Sequence, residues 1–181
     1  MRKLKEPFLT ALKSGFLSGI TSAVTNDPDL NLEIREDYIN VYYKGNSLLR
    51  LNDSSTRSKS KQYKVQIDKA FANGLEIPKA LVDEDTTAKF LATNVPSLKQ
   101  KIAQHGISLE TEYEQLIIRA NNFEGRNNSD YFVIDRQCVE DKGRFDLMGF
   151  FWDRHSRGQV RTVPLCLMEV KFARLLRTIY G

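Results

Sequence analysis

The sequence is poor in the residues that build zinc sites, disulfide frameworks and histidine-dependent catalytic triads. Among its 181 residues there are only two cysteines and two histidines. Cys138 and Cys166 lack the Cys-x-x-Cys spacing that is typical of zinc ligands, which argues against a zinc site. No serine or cysteine nucleophile motif accompanies His105 or His155, which argues against nucleophilic hydrolase chemistry.

Long apolar runs are also missing. No stretch approaches the roughly 20 apolar residues that a membrane-spanning helix needs. The basic start of the chain is not followed by a signal peptide, because Lys13 and several hydroxyl residues interrupt the segment. We therefore expect a cytoplasmic protein that has no part in the membrane.

The charge balance is mildly positive, with 27 lysine and arginine residues against 23 aspartate and glutamate residues. Such a balance permits nucleic-acid binding without requiring it. The length suits a single domain, or a domain preceded by an N-terminal extension.

The first half of the chain has helical periodicity followed by strand periodicity. Apolar residues recur at three- and four-residue steps from Leu4 onward, which predicts an amphipathic helix that ends near Val24. Alternating apolar residues then predict four antiparallel strands, at residues 30–34, 38–43, 48–51 and 63–67. We predict that residues 1–95 form this helix and a small antiparallel β-meander.

The tyrosines of the meander allow two interpretations. With Lys44 and Arg50 they could form a nucleic-acid surface, since bases stack on aromatic rings and basic groups hold phosphates. They could also form an aromatic cluster that packs on the first helix, and the pattern favours this second interpretation.

The second half predicts helices and then strands. One helix covers residues 96–105, and a second begins after Ser108 and runs to about residue 121. The apolar stripe of the second helix is Leu109, Tyr113, Leu116, Ile117 and Ala120. Strands follow near Tyr131 and in two apolar runs, at residues 143–152 and 163–171.

Each of these two apolar runs contains charged residues. Asp146 lies within the first run, and the second run ends in Glu169-Val170-Lys171. Side chains alternate along a strand, so Glu169 and Lys171 are expected to share a face. Charged groups are rarely buried on apolar strands unless they are paired or bind a metal. Two acids and a lysine are suited to holding a hard divalent cation beside a phosphate.

This pattern resembles the PD-(D/E)XK nuclease superfamily, over roughly residues 108–172. Its members carry an aspartate on the second core strand and (Asp/Glu)-x-Lys on the third, with an acid on the preceding helix. Asp146 matches the first position and Glu169-Val170-Lys171 the second. The resemblance implies an α/β (α+β) fold in which a restriction-endonuclease-like mixed sheet occupies residues 96–181.

The resemblance also implies a metal site. Asp146 and Glu169 would bind Mg²⁺ or Mn²⁺ with help from the Val170 carbonyl. Lys171 would orient or activate the attacking water, or stabilise charge on the phosphorus.

Two acids of this site have rivals in the sequence. The catalytic helix acid would be Glu114 or Glu112, with Glu114 preferred. Asp135 is the second choice for the role of Asp146, because it lies farther from Glu169 in the sequence.

The expected function is therefore that of a metal-dependent nuclease that hydrolyses phosphodiester bonds, with DNA as the favoured substrate. The alternative is a catalytically inactive module of the same fold that binds nucleic acid or acts as a scaffold. Only ten residues follow Lys171, whereas the superfamily core continues into a helix and a strand, so we expect the core to be incomplete at its C-terminus. Assembly as a homodimer is left open.

Overall fold

The computed structural model describes residues 4–54, 62–106, 108–124, 128–140, 143–159 and 161–171. The chain forms two compact units, Met1–Ile107 and Ser108–Gly181. Each unit combines helices with an antiparallel sheet, which confirms the α+β class predicted from the sequence.

The N-terminal unit consists of helices around a five-stranded sheet. Its elements in chain order are α1 (Glu6–Lys13), α2 (Ser18–Asn26), β1 (Leu30–Ile34), β2 (Tyr38–Tyr43), β3 (Asn46–Asp53), β4 (Tyr63–Gln66), α3 (Lys69–Ala72), β5 (Ala80–Leu81), α4 (Glu84–Lys89), a π-helical turn (Phe90–Asn94) and α5 (Val95–His105). The strands pair in sequence order, each antiparallel to the next. The predicted meander is therefore present, with one short strand added.

The predicted N-terminal helix is interrupted at Gly15. A Cβ at this position would lie 2.8 Å from the Cα of Ala11, so the chain can pass this close to α1 only because the residue is glycine. The backbone amide of Leu17 then donates a hydrogen bond to the Ala11 carbonyl at 3.1 Å. The apolar periodicity continues through the break, which is why it predicted one helix instead of two.

A two-residue turn joins β2 to β3. Lys44 and Gly45 both have positive φ, at 47° and 78°. A turn with two positive φ values matches the right-handed twist of the strands that it connects. The register shifts once between Tyr42 and Val41, and beyond that shift Ile39, Val41 and Leu51 are all buried in the core of the unit.

The boundary between the units lies later in the chain than the sequence predicted. We expected it at residues 95 and 96, which would place α5 in the second unit. Instead Val95, Leu98 and Ile102 of α5 are buried in the core of the first unit. A helix belongs with the core that covers its apolar stripe, and periodicity alone does not identify that core.

In its described residues, the C-terminal unit has one α-helix, a π-helical turn and a three-stranded sheet, and the short helix that residues 172–180 could form lies outside the described residues. Its elements are α6 (Leu109–Arg119), a second π-helical turn (Ala120–Glu124), β6 (Tyr131–Glu140), β7 (Gly143–Phe151) and β8 (Leu165–Met168). The order in the sheet is β6-β7-β8, and both neighbouring pairs are antiparallel. The mixed sheet that we predicted is not seen among the described residues. Only two residues separate the end of β6 from the start of β7. A parallel pair would need a long crossover connection, so these two strands can pair only in the antiparallel direction.

The strand that carries the Glu-x-Lys motif is shorter than predicted. We expected a strand over residues 163–171, but β8 ends at Met168, so Glu169 and Lys171 lie beyond it. Val170 nevertheless returns to the core, where it is buried with Ile118, Val133 and Leu147.

The orientation of α6 also differs from the prediction. Leu109, Tyr113 and Leu116 of the predicted apolar stripe are 48%, 45% and 50% exposed. The buried residues of the helix are Glu114, Gln115 and Ile118. Ile117 of the predicted stripe does pack against the core of the unit, so the prediction fails for the other three apolar residues named here and not for the whole stripe.

Candidate functional site

A buried ion pair joins α6 to β6. Nη2 of Arg136 donates a hydrogen bond to Oε2 of Glu114 at 2.9 Å, and the two side chains are 0% and 5% exposed. Two buried charges tolerate the loss of water only when they are paired with good geometry. This pair accounts for the inward orientation of Glu114 and therefore for the orientation of α6.

A β-bulge turns Arg136 toward the helix. Val133 is paired with Gly149, but Asp135 is paired with Met148, so one extra residue lies in β6 between them. Without the bulge, alternation would place Val133 and Arg136 on opposite faces of the sheet. With it, Arg136 is opposite the buried Leu147 and can reach Glu114.

The side chain of Asn122 holds β6 immediately before this bulge. Its Nδ2 donates to the Val133 carbonyl at 2.6 Å, and its Oδ1 accepts from the Val133 amide at 2.9 Å. One amide side chain thus satisfies both backbone groups of Val133, where the extra residue of the bulge begins. Because Asn122 lies in the π-helical turn after α6, it ties the end of the helix to the strand.

Asp146 connects β7 to the segment that follows β8. Its Oδ2 accepts a hydrogen bond from the backbone amide of Val170 at 2.8 Å. The ladder of β7 and β8 ends one residue before Asp146, where Leu147 is paired with Met168. The carboxylate of Asp146 therefore positions the Glu-x-Lys segment beyond the end of the strand.

Lys171 and Glu169 form an ion pair at the protein surface. Nζ of Lys171 lies 2.5 Å from Oε2 of Glu169, and the side chains are 76% and 51% exposed. The hydrogen bond and charge of Glu169 raise the pKa of Lys171, and the charges of Asp146 and Glu110 raise it further.

The pKa of Glu114 is raised as well, for a different reason. Burial raises it first, the charge of Arg136 opposes that effect, and the charge of Asp146 raises it again. Asp146 therefore interacts electrostatically with both Glu114 and Lys171.

The structure separates the rival acids. Glu114 is buried and paired with Arg136, whereas Glu112 is half-buried, and the preference for Glu114 as the helix acid stays a prediction. Asp135 is buried and accepts a hydrogen bond from the Arg136 amide at 2.8 Å. That hydrogen bond lies within β6 at the bulge, whereas the carboxylate of Asp146 contacts the Glu-x-Lys segment.

The residues fit a metal site with two carboxylate ligands better than one with three. In the part of the chain that the structure describes, no three acidic, histidine or cysteine side chains are grouped closely enough to hold a metal ion. Mg²⁺, however, is commonly held by one or two carboxylates, with water and phosphate oxygens completing its shell. Asp146 and Glu169 are the two carboxylates that could take this role. The sequence analysis expected the Val170 carbonyl to help, but the group of Val170 that contacts Asp146 is its backbone amide.

Sequence reasoning did not identify Arg136 or Asn122. A signal existed for Arg136, because an arginine within a strand that begins Tyr-Phe-Val-Ile needs a partner if it is buried. Asn122 gave no such signal, since paired asparagines after a helix are also typical of a simple turn.

Comparison with known proteins gives no relative for this chain. No model of a protein family matches it, and neither a curated protein nor a solved structure matches it. None of the helices in the described residues is both long enough and apolar enough to cross a membrane.

Proposed function

We propose that the chain is a metal-dependent nuclease that hydrolyses the phosphodiester bonds of nucleic acid. The observation that supports this proposal is that Asp146 binds the Val170 amide at 2.8 Å, in the middle of the segment whose Glu169 and Lys171 form an ion pair at 2.5 Å. The motif predicted from the sequence has an acid on a helix, an acid on one strand and an acid–lysine pair on the next strand, whereas in the structure that pair lies just beyond the strand.

Each residue of the site has a distinct role in this proposal. Asp146 and Glu169 would hold Mg²⁺ or Mn²⁺, and Glu114 would be the helix acid of the motif. When bound, the ion would lower the pKa of an attacking water and neutralise charge on the phosphate. Lys171 would stabilise the negative charge that develops on the phosphate. Its raised pKa favours this role over that of a proton acceptor.

DNA as the substrate, the cytoplasm as the compartment and assembly as a homodimer stay predictions from the sequence. A second candidate function is a nuclease-like module that binds nucleic acid or acts as a scaffold without cutting. It is favoured by one observation, that the described residues contain no group of three metal-ligating side chains.

A cleavage assay with matched variants tests the proposal. The wild-type chain is incubated with labelled single- and double-stranded DNA and RNA, with Mn²⁺, with Mg²⁺ and with EDTA. We expect metal-dependent cleavage that EDTA abolishes and that Asp146→Asn removes. The asparagine keeps an acceptor for the Val170 amide, so the fold is preserved while a metal ligand is lost.

The control variant is Asp85→Asn, which removes an exposed acid from α4 of the N-terminal unit and should cut like wild type. If the folded wild-type chain cuts none of the four substrates with either metal, the nuclease proposal is wrong. The scaffold candidate then replaces it.

A further inference from the structure

The sheet of the N-terminal unit has two chemically different faces, and they divide its tyrosines. Tyr63 is on the core face, where its ring lies 4.5 Å from that of Phe8 in α1. Tyr38 and Tyr42 alternate with the buried Ile39 and Val41, so they are on the opposite face. The aromatic cluster favoured by the sequence therefore accounts for Tyr63 but not for Tyr38 and Tyr42.

Tyr38 forms a fixed stack with an arginine of the neighbouring strand. Cζ of Arg50 lies 3.6 Å from the centroid of the Tyr38 ring, which places the guanidinium directly over the ring. Nε of Arg50 also donates a hydrogen bond to Oδ1 of Asn52 at 3.1 Å, and Asn52 is paired with Tyr38 across the strands. The guanidinium is thus held from two sides, which reduces the entropy lost when it binds a ligand.

A second cation extends this surface onto the next strand. Lys64 of β4 is exposed and is paired with Asn52, so Tyr38, Asn52 and Lys64 form one row across three strands. Neighbouring strands are about 5 Å apart, so the ring and the two cations lie within roughly 10 Å of one another. Arg35 and Tyr42 form another pair on this face, and Glu33 balances the charge of that arginine.

We propose that this polar face binds single-stranded nucleic acid. Unpaired bases would stack on the Tyr38–Arg50 platform, and phosphates would be held by Arg50 and Lys64. The charges are complementary to a polyanion, and the flat stacked groups add an affinity for bases that simple cations lack. A duplex presents few open base faces, so the geometry favours a single strand over a double strand. This proposal deepens the proposed nuclease function. It rests on that function for one step, which is to take nucleic acid and not another polyanion as the ligand.

The test is a binding experiment in EDTA, which removes cleavage from the measurement. Fluorescence anisotropy follows a labelled oligothymidylate titrated with the full chain at low salt. We expect Tyr38→Ala to weaken binding about tenfold or more, because stacking on one aromatic ring supports that scale of effect. Tyr38→Phe keeps the ring and should bind within about twofold of wild type. Arg50→Lys keeps the charge but loses the planar stack, and should resemble Tyr38→Ala.

Two controls separate the specific surface from general charge. Lys89→Ala removes an exposed cation from α4 and should leave binding unchanged. Inorganic polyphosphate and a duplex of the same length should compete less well than the unlabelled single strand. The proposal is overturned if Tyr38→Ala binds like wild type while its circular dichroism melting curve is unchanged. It is also overturned if polyphosphate or duplex competes as well as the single strand.

The failure of this inference can be told apart from the failure of the nuclease proposal. Asp146→Asn should bind the oligonucleotide as wild type does, because Asp146 belongs to the C-terminal unit. Binding that depends on Tyr38 without any metal-dependent cleavage would support the surface and refute the nuclease. Cleavage that does not change in Tyr38→Ala, at substrate concentrations below saturation, would refute the surface alone.

Discussion

Gly149 packs directly against the backbone of Phe132. A Cβ at Gly149 would lie 2.7 Å from the carbonyl oxygen of Phe132 and 3.2 Å from the Cα of Val133. Both neighbours are backbone atoms, which cannot rotate away as a side chain can. The close approach of β6 and β7 just before the bulge therefore depends on the missing side chain of this glycine.

Gly149→Ala should destabilise the C-terminal unit by about 1–3 kcal/mol, the usual cost of forcing an extra carbon into a packed site. Trp152 is the only tryptophan and lies in this unit, so urea unfolding followed by its fluorescence measures the effect. Gly143→Ala is the matched control, since a Cβ there meets nothing within 4 Å. Equal midpoints for the two variants would show that β6 and β7 can move apart without cost.

The buried pair of Arg136 and Glu114 predicts that a second substitution should restore part of the stability that a first one removes. Arg136→Met leaves Glu114 buried without this partner, which should cost about 3–5 kcal/mol. Adding Glu114→Gln removes the remaining charge, so the double variant should recover much of that loss. The measurement is again urea unfolding by Trp152 fluorescence. A double variant that is less stable than Arg136→Met would mean that the ion pair does not govern the packing of α6.

The strands were predictable from the sequence, but the orientation of α6 was not. Alternation places the meander strands and β7 correctly, because one face of each sheet must be apolar. The apolar stripe of α6 predicted that Leu109, Tyr113 and Leu116 would face the core, and they are exposed. The reason is Arg136, which comes later in the chain and reaches the helix only because of a bulge that no periodicity reveals.

The charged residues of the candidate site were predictable from their chemistry, but their contacts were not. An acid inside an apolar run identified Asp146, and the Glu-x-Lys sequence identified Glu169 and Lys171. The sequence could not show that β8 ends before Glu169, because the run through Glu169-Val170-Lys171 still alternates as a strand would. The bond from the Val170 amide to Asp146 replaces the missing ladder at that point.

Stability of the C-terminal unit should depend on the ionisation of Glu114. Burial raises the pKa of Glu114 above its ordinary value of 4.5. A group with a raised folded-state pKa stabilises the protein fully below its ordinary pKa, and this contribution is lost as pH rises through the folded-state pKa. Wild type should therefore lose stability relative to Glu114→Gln as pH rises from about 4.5 toward neutrality. Urea midpoints measured across that range test the slope, and a slope of the opposite sign would mean that Arg136 outweighs burial.

Lys171 should affect cleavage and metal binding in opposite directions. Its ammonium group pairs with Glu169 and interacts with Asp146, so it competes with a cation for the same two carboxylates. Lys171→Met should therefore bind Mn²⁺ more tightly than wild type in a calorimetric titration. The same change removes the positive group beside the phosphate, which should lower cleavage by about 10²–10³-fold. Glu169→Gln should weaken both, because it removes a metal ligand instead of a competing charge. If Lys171→Met instead lowers both metal affinity and cleavage, Lys171 only maintains the shape of the site. Its assignment to the phosphate would then be wrong.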